Sequence, residues 1–300
     1  MSKIAGGLAS VTLVCALLAM AFFTLLERKI LAHTQLRKGP GKAGFLGLAQ
    51  PFADAVKLFM KQQILPAQAN RWGFILAPLG ALGLALFMWC LYPHTHFVTY
   101  VPLGAPLFIA LSRLRVYPLF IAGWCSNSKY ALLGTVRGVA QRISYEVSIS
   151  LFLIGVLLLL NNIGFTRPLF SPSVRNIWLV PPLVGVWFVT VLAETNRAPF
   201  DFAEGESELV SGFNIEYGGG KFAFIFIAEY TRILIIRVFT AVMFFSSIVV
   251  LARLVVAVLV LLIRATLPRY RYDQLIMLTW KRFVPFSLVL LVCLVPCVRF

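Results

Sequence analysis

The sequence predicts an all-α polytopic membrane protein with eight transmembrane helices and one interfacial amphipathic helix. Three observations lead there. Of 300 residues, 60% are hydrophobic and only 13% are charged, with a mean hydropathy of +0.89, whereas a soluble domain carries about 25% charged residues. The apolar residues come in runs of about 20, the length of a membrane-crossing helix, and not in the alternation of a transmembrane β-barrel. The basic residues behind the net charge of +16 gather in alternate connections, as they do on the inner side of a bilayer. That placement accounts for the charge without nucleic acid as a partner.

The first span is expected near 4–26, between Lys3 and Glu27-Arg28-Lys29. It exceeds a signal-peptide core and should stay as a helix. Residues 45–61 read differently. At 100° per residue Phe45, Leu48, Phe52, Val56 and Phe59 share one face, while Gln50, Asp54, Lys57 and Lys61 occupy the other. This amphipathic helix suits the membrane interface, a partner over its polar face, or both. Further spans are expected near 72–92, 101–124, 143–161 and 177–193. Residues 222–263 are almost continuously apolar, and Ser246-Ser247 suggests a turn dividing them into 222–244 and 247–263. A last span near 283–299 completes a single membrane domain over residues 1–300.

Eighteen Lys and Arg lie in 27–71, 125–142, 194–221 and 264–282, against four on the opposite side. The N-terminus is therefore expected outside and these four loops inside. The five cysteines form no CxxC and read as small apolar residues rather than a disulfide or iron–sulfur set. His94-Thr95-His96, in an outer connection, is a conceivable metal pair but lacks acid or thiolate company and reads as surface.

Charges stand where they are costly. Six of the 11 acids fall within residues 194–216: Glu194, Asp201, Glu204, Glu206, Glu208 and Glu216. Phe200, Phe202, Leu209, Val210, Phe213 and Ile215 interleave with them. This suits a loop folded back against the membrane surface, where burial and mutual repulsion raise carboxyl pKa values and allow proton exchange near neutral pH. A plain solvated acidic loop, or one that only docks a partner, is the alternative. Glu146 and Glu229 extend the acids into spans, where an ionisable group is a functional candidate. Structural pairing would instead match Glu146 with Arg142 and Glu229 with Arg232. Arg113, Arg115, Arg232 and Arg237 also fall within spans, where an arginine left to lipid costs at least ~2.5 kcal/mol. Arg232 is expected to point inward and pair with Glu229. Arg113 and Arg115, two apart, cannot share a face, so one is expected to meet a neighbouring subunit or to snorkel.

The chain has no GxGxxG, GxxxxGK[ST], HExxH or cysteine cluster, and no nucleophile beside a base. No catalytic residue and no bound metal or nucleotide is expected of it, so any redox chemistry would rest on another subunit's cofactor.

These segments resemble a known family. Gln35-Leu36-Arg37-Lys38-Gly39-Pro40, Gln50-Pro51-Phe52-Ala53-Asp54-Ala55-Val56-Lys57, Ser126-Asn127-Ser128-Lys129-Tyr130-Ala131, Ser144-Tyr145-Glu146-Val147, Ala193-Glu194-Thr195-Asn196-Arg197-Ala198-Pro199-Phe200-Asp201, Glu204-Gly205-Glu206-Ser207-Glu208-Leu209, Ala228-Glu229-Tyr230 and Pro268-Arg269-Tyr270-Arg271-Tyr272-Asp273 stand in the order found in subunit 1 of proton-pumping NADH:ubiquinone oxidoreductase, respiratory complex I. The resemblance covers about residues 20–285. It implies that the first, amphipathic and sixth helices frame a tunnel for the quinone tail, with Arg28, Arg37, Phe52, Asp54, Phe59, Arg197, Phe200 and Glu206 along it. It implies a proton path through Glu146, Glu194, Asp201, Glu204, Glu206, Glu208, Glu216 and Glu229. Ubiquinone would be the substrate, with FMN and the iron–sulfur clusters held by partner subunits. Expected partners are peripheral-arm subunits, including the one with the terminal cluster, together with antiporter-like membrane subunits and lipid. The Ser-Asn-Ser-Lys-Tyr wording favours a mitochondrial inner membrane over a bacterial plasma membrane. The departures are Arg113, Arg115, Arg232, Arg237 and Gln62. A membrane anchor of a related energy-converting hydrogenase would share most motifs. A stand-alone ion carrier would also have buried acids, though no internal repeat supports one.

Overall fold

The computed structural model describes residues 2–92, 101, 103–160, 181–203, 205, 212–244 and 249–298, and all regular elements among them are helical. α1 (Ser2–Thr34) runs on past the apolar stretch to 33 residues, about 50 Å at 1.5 Å per residue. It ends before Leu36, whose φ of 57° is left-handed. α2 (Gln50–Met60) opens on Pro51, whose fixed φ suits a first turn. The amphipathic helix is thus shorter than the expected 45–61. Gly44 and Gly47, at φ 70° and 77°, break the backbone so that Phe45–Gly47 forms a separate 3₁₀ turn.

α3 (Arg71–Trp89) is followed by α4 (Gly104–Leu114) and α5 (Val116–Ser126), which meet at Arg115. Asn127 caps α5 in the left-handed region at φ 52°, and α6 (Lys129–Leu160) turns back along it. The turn brings Gly123 against the Thr135 side chain, a contact with no room for a Cβ. α6 begins well before the expected span at 143. Next come α7 (Pro181–Glu194), α8 (Gly220–Phe244), α9 (Val249–Thr266), α10 (Tyr272–Leu278), a π turn at Thr279–Phe283 and α11 (Val284–Val298). His94, His96 and the Ser246-Ser247 turn lie outside the described residues.

By length and composition Ser10–Thr34, Arg71–Trp89, Gly104–Ser126, Lys129–Leu158 and Tyr272–Pro296 suffice to cross a membrane, and Pro181–Glu194 is a shorter apolar helix. α8 carries Lys221, Glu229, Arg232 and Arg237, yet most of its residues are buried. It is the axis of the fold, packed against α1, α2, α3 and α9. Phe108 and Phe239 meet edge-on at 4.9 Å between ring centres, and Trp187 lies 6.1 Å from Phe244. Trp89 donates its indole N–H to the Thr231 carbonyl at 3.0 Å, fixing α3 against α8. Large apolar side chains such as Leu76, Trp124 and Val292 stay exposed on the helix surfaces, as lipid-facing helices require.

Candidate functional site

The acids of the helices converge where α5, α6, α7 and α8 meet. Glu194 ends α7 with 4% of its side chain exposed. Its Oε1 accepts from Arg115 Nη2 at 3.0 Å and also pairs with Arg232 Nη2, and both guanidiniums are as deeply buried. Its Oε2 is buried without a hydrogen-bond partner, as is Glu146 Oε1. Two small cavities adjoin the cluster. One, about 20 Å³, is lined by Ser112, Glu146, Ser150, Glu194 and Arg232. The other, about 40 Å³, is lined by Arg115, Arg142 and Glu229. Arg115 feels the fields of Glu194, Glu146 and Glu229 together. The structure therefore gathers Glu146, Glu194 and Glu229 around one arginine.

Neither the expected Arg232–Glu229 pair nor the alternative Arg142–Glu146 pair forms. Arg232 points inward, but to Glu194 rather than Glu229. The two side chains sit about 60° apart on α8, so Glu229 faces the Arg115–Arg142 cavity while Arg232 faces the end of α7. Arg142 donates to the Asn196 side-chain oxygen at 3.0 and 3.1 Å, with that amide oriented to accept, and not to Glu146. Of Arg113 and Arg115, the first is exposed and the second buried, as spacing on one helix demands.

The loop after α7 is held from inside the protein. Gln141, fully buried on α6, donates through Nε2 to the carbonyls of Ala193 (2.9 Å) and Phe200 (2.8 Å). Asn196 takes a left-handed φ of 49°, and the Ala198–Pro199 bond is cis. Phe200 is 5% exposed, its ring 5.4 Å from Tyr270, and Phe202 stands edge-on to Tyr272 at 5.8 Å. Asp201 lies 3.8 Å from Arg269. The Arg197 guanidinium sits over the Tyr230 ring at 4.6 Å. Glu216 is half-buried in a 3₁₀ turn, Gly212–Glu216. Glu204, Glu206 and Glu208 lie outside the described residues. Beyond the turn, Tyr217 stacks on Phe74 at 4.1 Å and donates to the Ala122 carbonyl, and burial pushes its phenol up. Lys221 places its ammonium 5.0 Å from the Phe74 ring, and burial lowers the amine.

A second group surrounds α2. Arg28 donates to Asp54 at 2.7 Å, and Gln50 to the other Asp54 oxygen at 2.9 Å. Lys29 donates to the Leu46 carbonyl at 2.7 Å. The ring of Phe52 stands edge-on to Phe22 of α1, and that of Phe59 edge-on to Phe224 of α8, both at 6.0 Å. The stripe residues Phe45, Leu48, Phe52, Val56 and Phe59 stay 48–81% exposed. Arg37 is exposed. Glu27 and Arg264 pair nearby and tie α1 to α9. Arg28, Asp54, Phe52 and Phe59 thus share one region at the C-terminal part of α1, while Phe200 is packed away from it with Tyr145 and Leu275.

Gln141 and the arginine clamp on Glu194 escaped the sequence reading. Gln141, Tyr145 and Ser148 recur at i, i+4 and i+7, and all three have no exposed surface. A polar stripe at helical spacing on a membrane helix is the signal that would have found Gln141.

A family model described as NADH dehydrogenase matches residues 8–295. The chain is 48% identical over 293 residues to NADH-ubiquinone oxidoreductase chain 1 of Thymallus arcticus, covering 93% of this chain and 90% of that one. It is 47% identical over 289 residues to the protein of that name from Emballonura alecto, covering 91% and 90%. The same figure over 283 residues holds for the protein of that name from Aedes aegypti, covering 92% and 90%. With a match running almost from end to end, the chain belongs to the NADH dehydrogenase family that includes these oxidoreductase chains.

Proposed function

We propose that the chain is a core membrane subunit of a proton-pumping NADH:ubiquinone oxidoreductase. It forms much of the quinone-access tunnel and couples quinone reduction to proton movement through its buried acids. Eight spans in the mitochondrial inner membrane, with the four basic loops inside, complete the reading. FMN and the iron–sulfur clusters belong to partner subunits, and electrons reach the quinone from them. The names of these relatives, NADH-ubiquinone oxidoreductase chain 1, support the quinone reaction over a hydrogenase anchor.

The observation that carries the coupling is the convergence of Glu146, Glu194 and Glu229 on Arg115. A quinone taking up two electrons needs two protons. The charge change alters the field at the acidic loop, whose first residue is Glu194. That carboxylate keeps one oxygen for the arginines and one without a hydrogen-bond partner. Cavities of 20 and 40 Å³ exceed the roughly 10–15 Å³ that one water occupies, so water can sit between Glu146 and Glu194 in the first and beside Glu229 in the second. At the other end, the apolar stripe of α2 against Phe22 offers the tail a wall, with Arg28 and Asp54 on its polar side.

The test is Glu194→Gln in the assembled complex. Quinone reduction and proton pumping should fall together, while electron transfer from NADH to an artificial acceptor stays intact. Normal quinone reduction and pumping in a fully assembled variant would overturn the coupling role.

A further inference from the structure

One face of α4 and α5 stays uncovered. Arg115 keeps helical angles between the two helices, φ −71° and ψ −16°, so the face runs on through their junction. At 100° per residue Pro106, Ala110, Tyr117, Phe120 and Trp124 fall within about 60° of Arg113, and all six are exposed. Tyr117 and Trp124 are each 64% exposed. Aromatic rings are at home against lipid, but a guanidinium is not.

Depth decides what can answer that charge. Arg113 stands two residues from the midpoint of the span Gly104–Ser126, about 3 Å along the axis. Glu146 and Arg232 lie within two residues of the midpoints of α6 and α8, and Glu146 feels the field of Arg113, so these charges share one level. The nearer end of the span, at Gly104, is about 14 Å away along the helix, too far for the side chain to snorkel to water. A lipid phosphate is kept at a similar distance, at the edge of a hydrocarbon core about 30 Å thick. A second copy of this chain on the same face would bring another arginine to the same level. Among the described residues no carboxylate pairs with Arg113, although its field reaches Glu146. What remains is a carboxylate carried to mid-depth by another helix. The face suits one: Ala110, one turn before Arg113, lets a second backbone approach, and Tyr117 and Trp124 offer broad, rigid contacts beyond it.

We propose that this face of α4 and α5 seats a transmembrane helix of another subunit, and that the helix carries an Asp or Glu at the level of Arg113. The pair forms at the surface of this chain, outside the cavity lined by Ser112 and Glu146. Such seating needs only that the chain stands in a membrane assembly, whether or not its interior acids carry protons.

The experiment uses the assembled complex with photoreactive p-benzoylphenylalanine in place of Tyr117, one turn after Arg113. The expected crosslink is to a transmembrane segment of another subunit, with an Asp or Glu within about one helical turn of the crosslinked residue. Arg113→Asp should then lower the fraction of that subunit retained in mild detergent by more than about tenfold, since two carboxylates would meet away from water. Because that change also alters the field at Glu146, a second arm exchanges the charges: Arg113→Asp together with the partner's acid changed to Arg should restore retention. Crosslinks to lipid alone, to a second copy of this chain, or to a segment with no acid within that turn would overturn the proposal. So would undiminished retention in Arg113→Asp, or a loss that the exchange does not restore. None of these readouts involves quinone turnover, so a failed coupling role leaves them unchanged.

Discussion

Replacing Gln141 by Leu tests how the acidic loop is held. The side chains are similar in volume, so the change removes the two donated hydrogen bonds together with the buried Gln141 Oε1, which has no hydrogen-bond partner and whose removal offsets part of the cost. The Phe200 carbonyl loses its partner in a buried setting, which costs about 1–3 kcal/mol. The Ala193 carbonyl still accepts from the Asn196 N–H at 3.3 Å, so its loss is nearer ~1 kcal/mol. A gross loss of about 2–4 kcal/mol, partly offset by removing that oxygen, frees residues 195–203 locally without unfolding the helices. In the assembled complex the expected outcome is faster protease cleavage or cysteine labelling between Asn196 and Ala203. Quinone reduction should drop, with NADH oxidation by an artificial acceptor unchanged. A variant with wild-type loop protection and wild-type quinone reduction would refute the idea that Gln141 anchors this loop.

Phe52→Asp places a charge on the stripe facing Phe22 and should slow turnover with long-tailed quinones more than with short-tailed ones; an equal loss for both would remove the gate from the account. Lys221→Met should relieve the burial of an unpartnered amine. Since burial lowers the native pKa, the wild type is most penalised at low pH and recovers as pH rises from the lowered native value towards ~10.4. The stability gap between variant and wild type should therefore narrow on going from neutral to alkaline pH, as read by thermal unfolding. For orientation, a cysteine introduced at Gly205 should resist an impermeant thiol reagent added from the outer side. Rapid labelling there would invert the assignment of the loops.

The helical class, the amphipathic stripe and the crowding of the acids were legible because each rests on local pattern. Run length, a 100° periodicity and acids crowded beside α7 need no knowledge of what packs where. The partner of each charge was not legible. Arg232 has Glu229 one turn earlier, and sequence distance favours that pair. The actual partner, Glu194, is 38 residues away and was chosen by the packing of α7 on α8. Arg115 reaches the same carboxylate across 79 residues. The start of α2 was misplaced for a backbone reason: Phe45 and Leu48 continue the apolar stripe, but Gly44 and Gly47 adopt positive φ and break the helix. Gln141 looked like one polar residue among several near a span's start, and only the fold shows two carbonyls converging on it.

The two charged groups differ in their access to water. The Arg28–Asp54 pair has side chains 54% and 37% exposed, whereas Arg115, Arg232 and Glu194 are at most 7% exposed. Mobile ions screen exposed charges over about 8 Å at physiological ionic strength and scarcely reach buried ones. Raising the salt concentration should therefore loosen the tie between α1 and α2 and leave the Glu194 clamp untouched. Ionic strength thus becomes a dial that reaches the α1–α2 tie and the exposed Arg271–Asp273 pair but not the clamp on Glu194, so that under the proposed function one titration separates the tail's gate from the coupling acids.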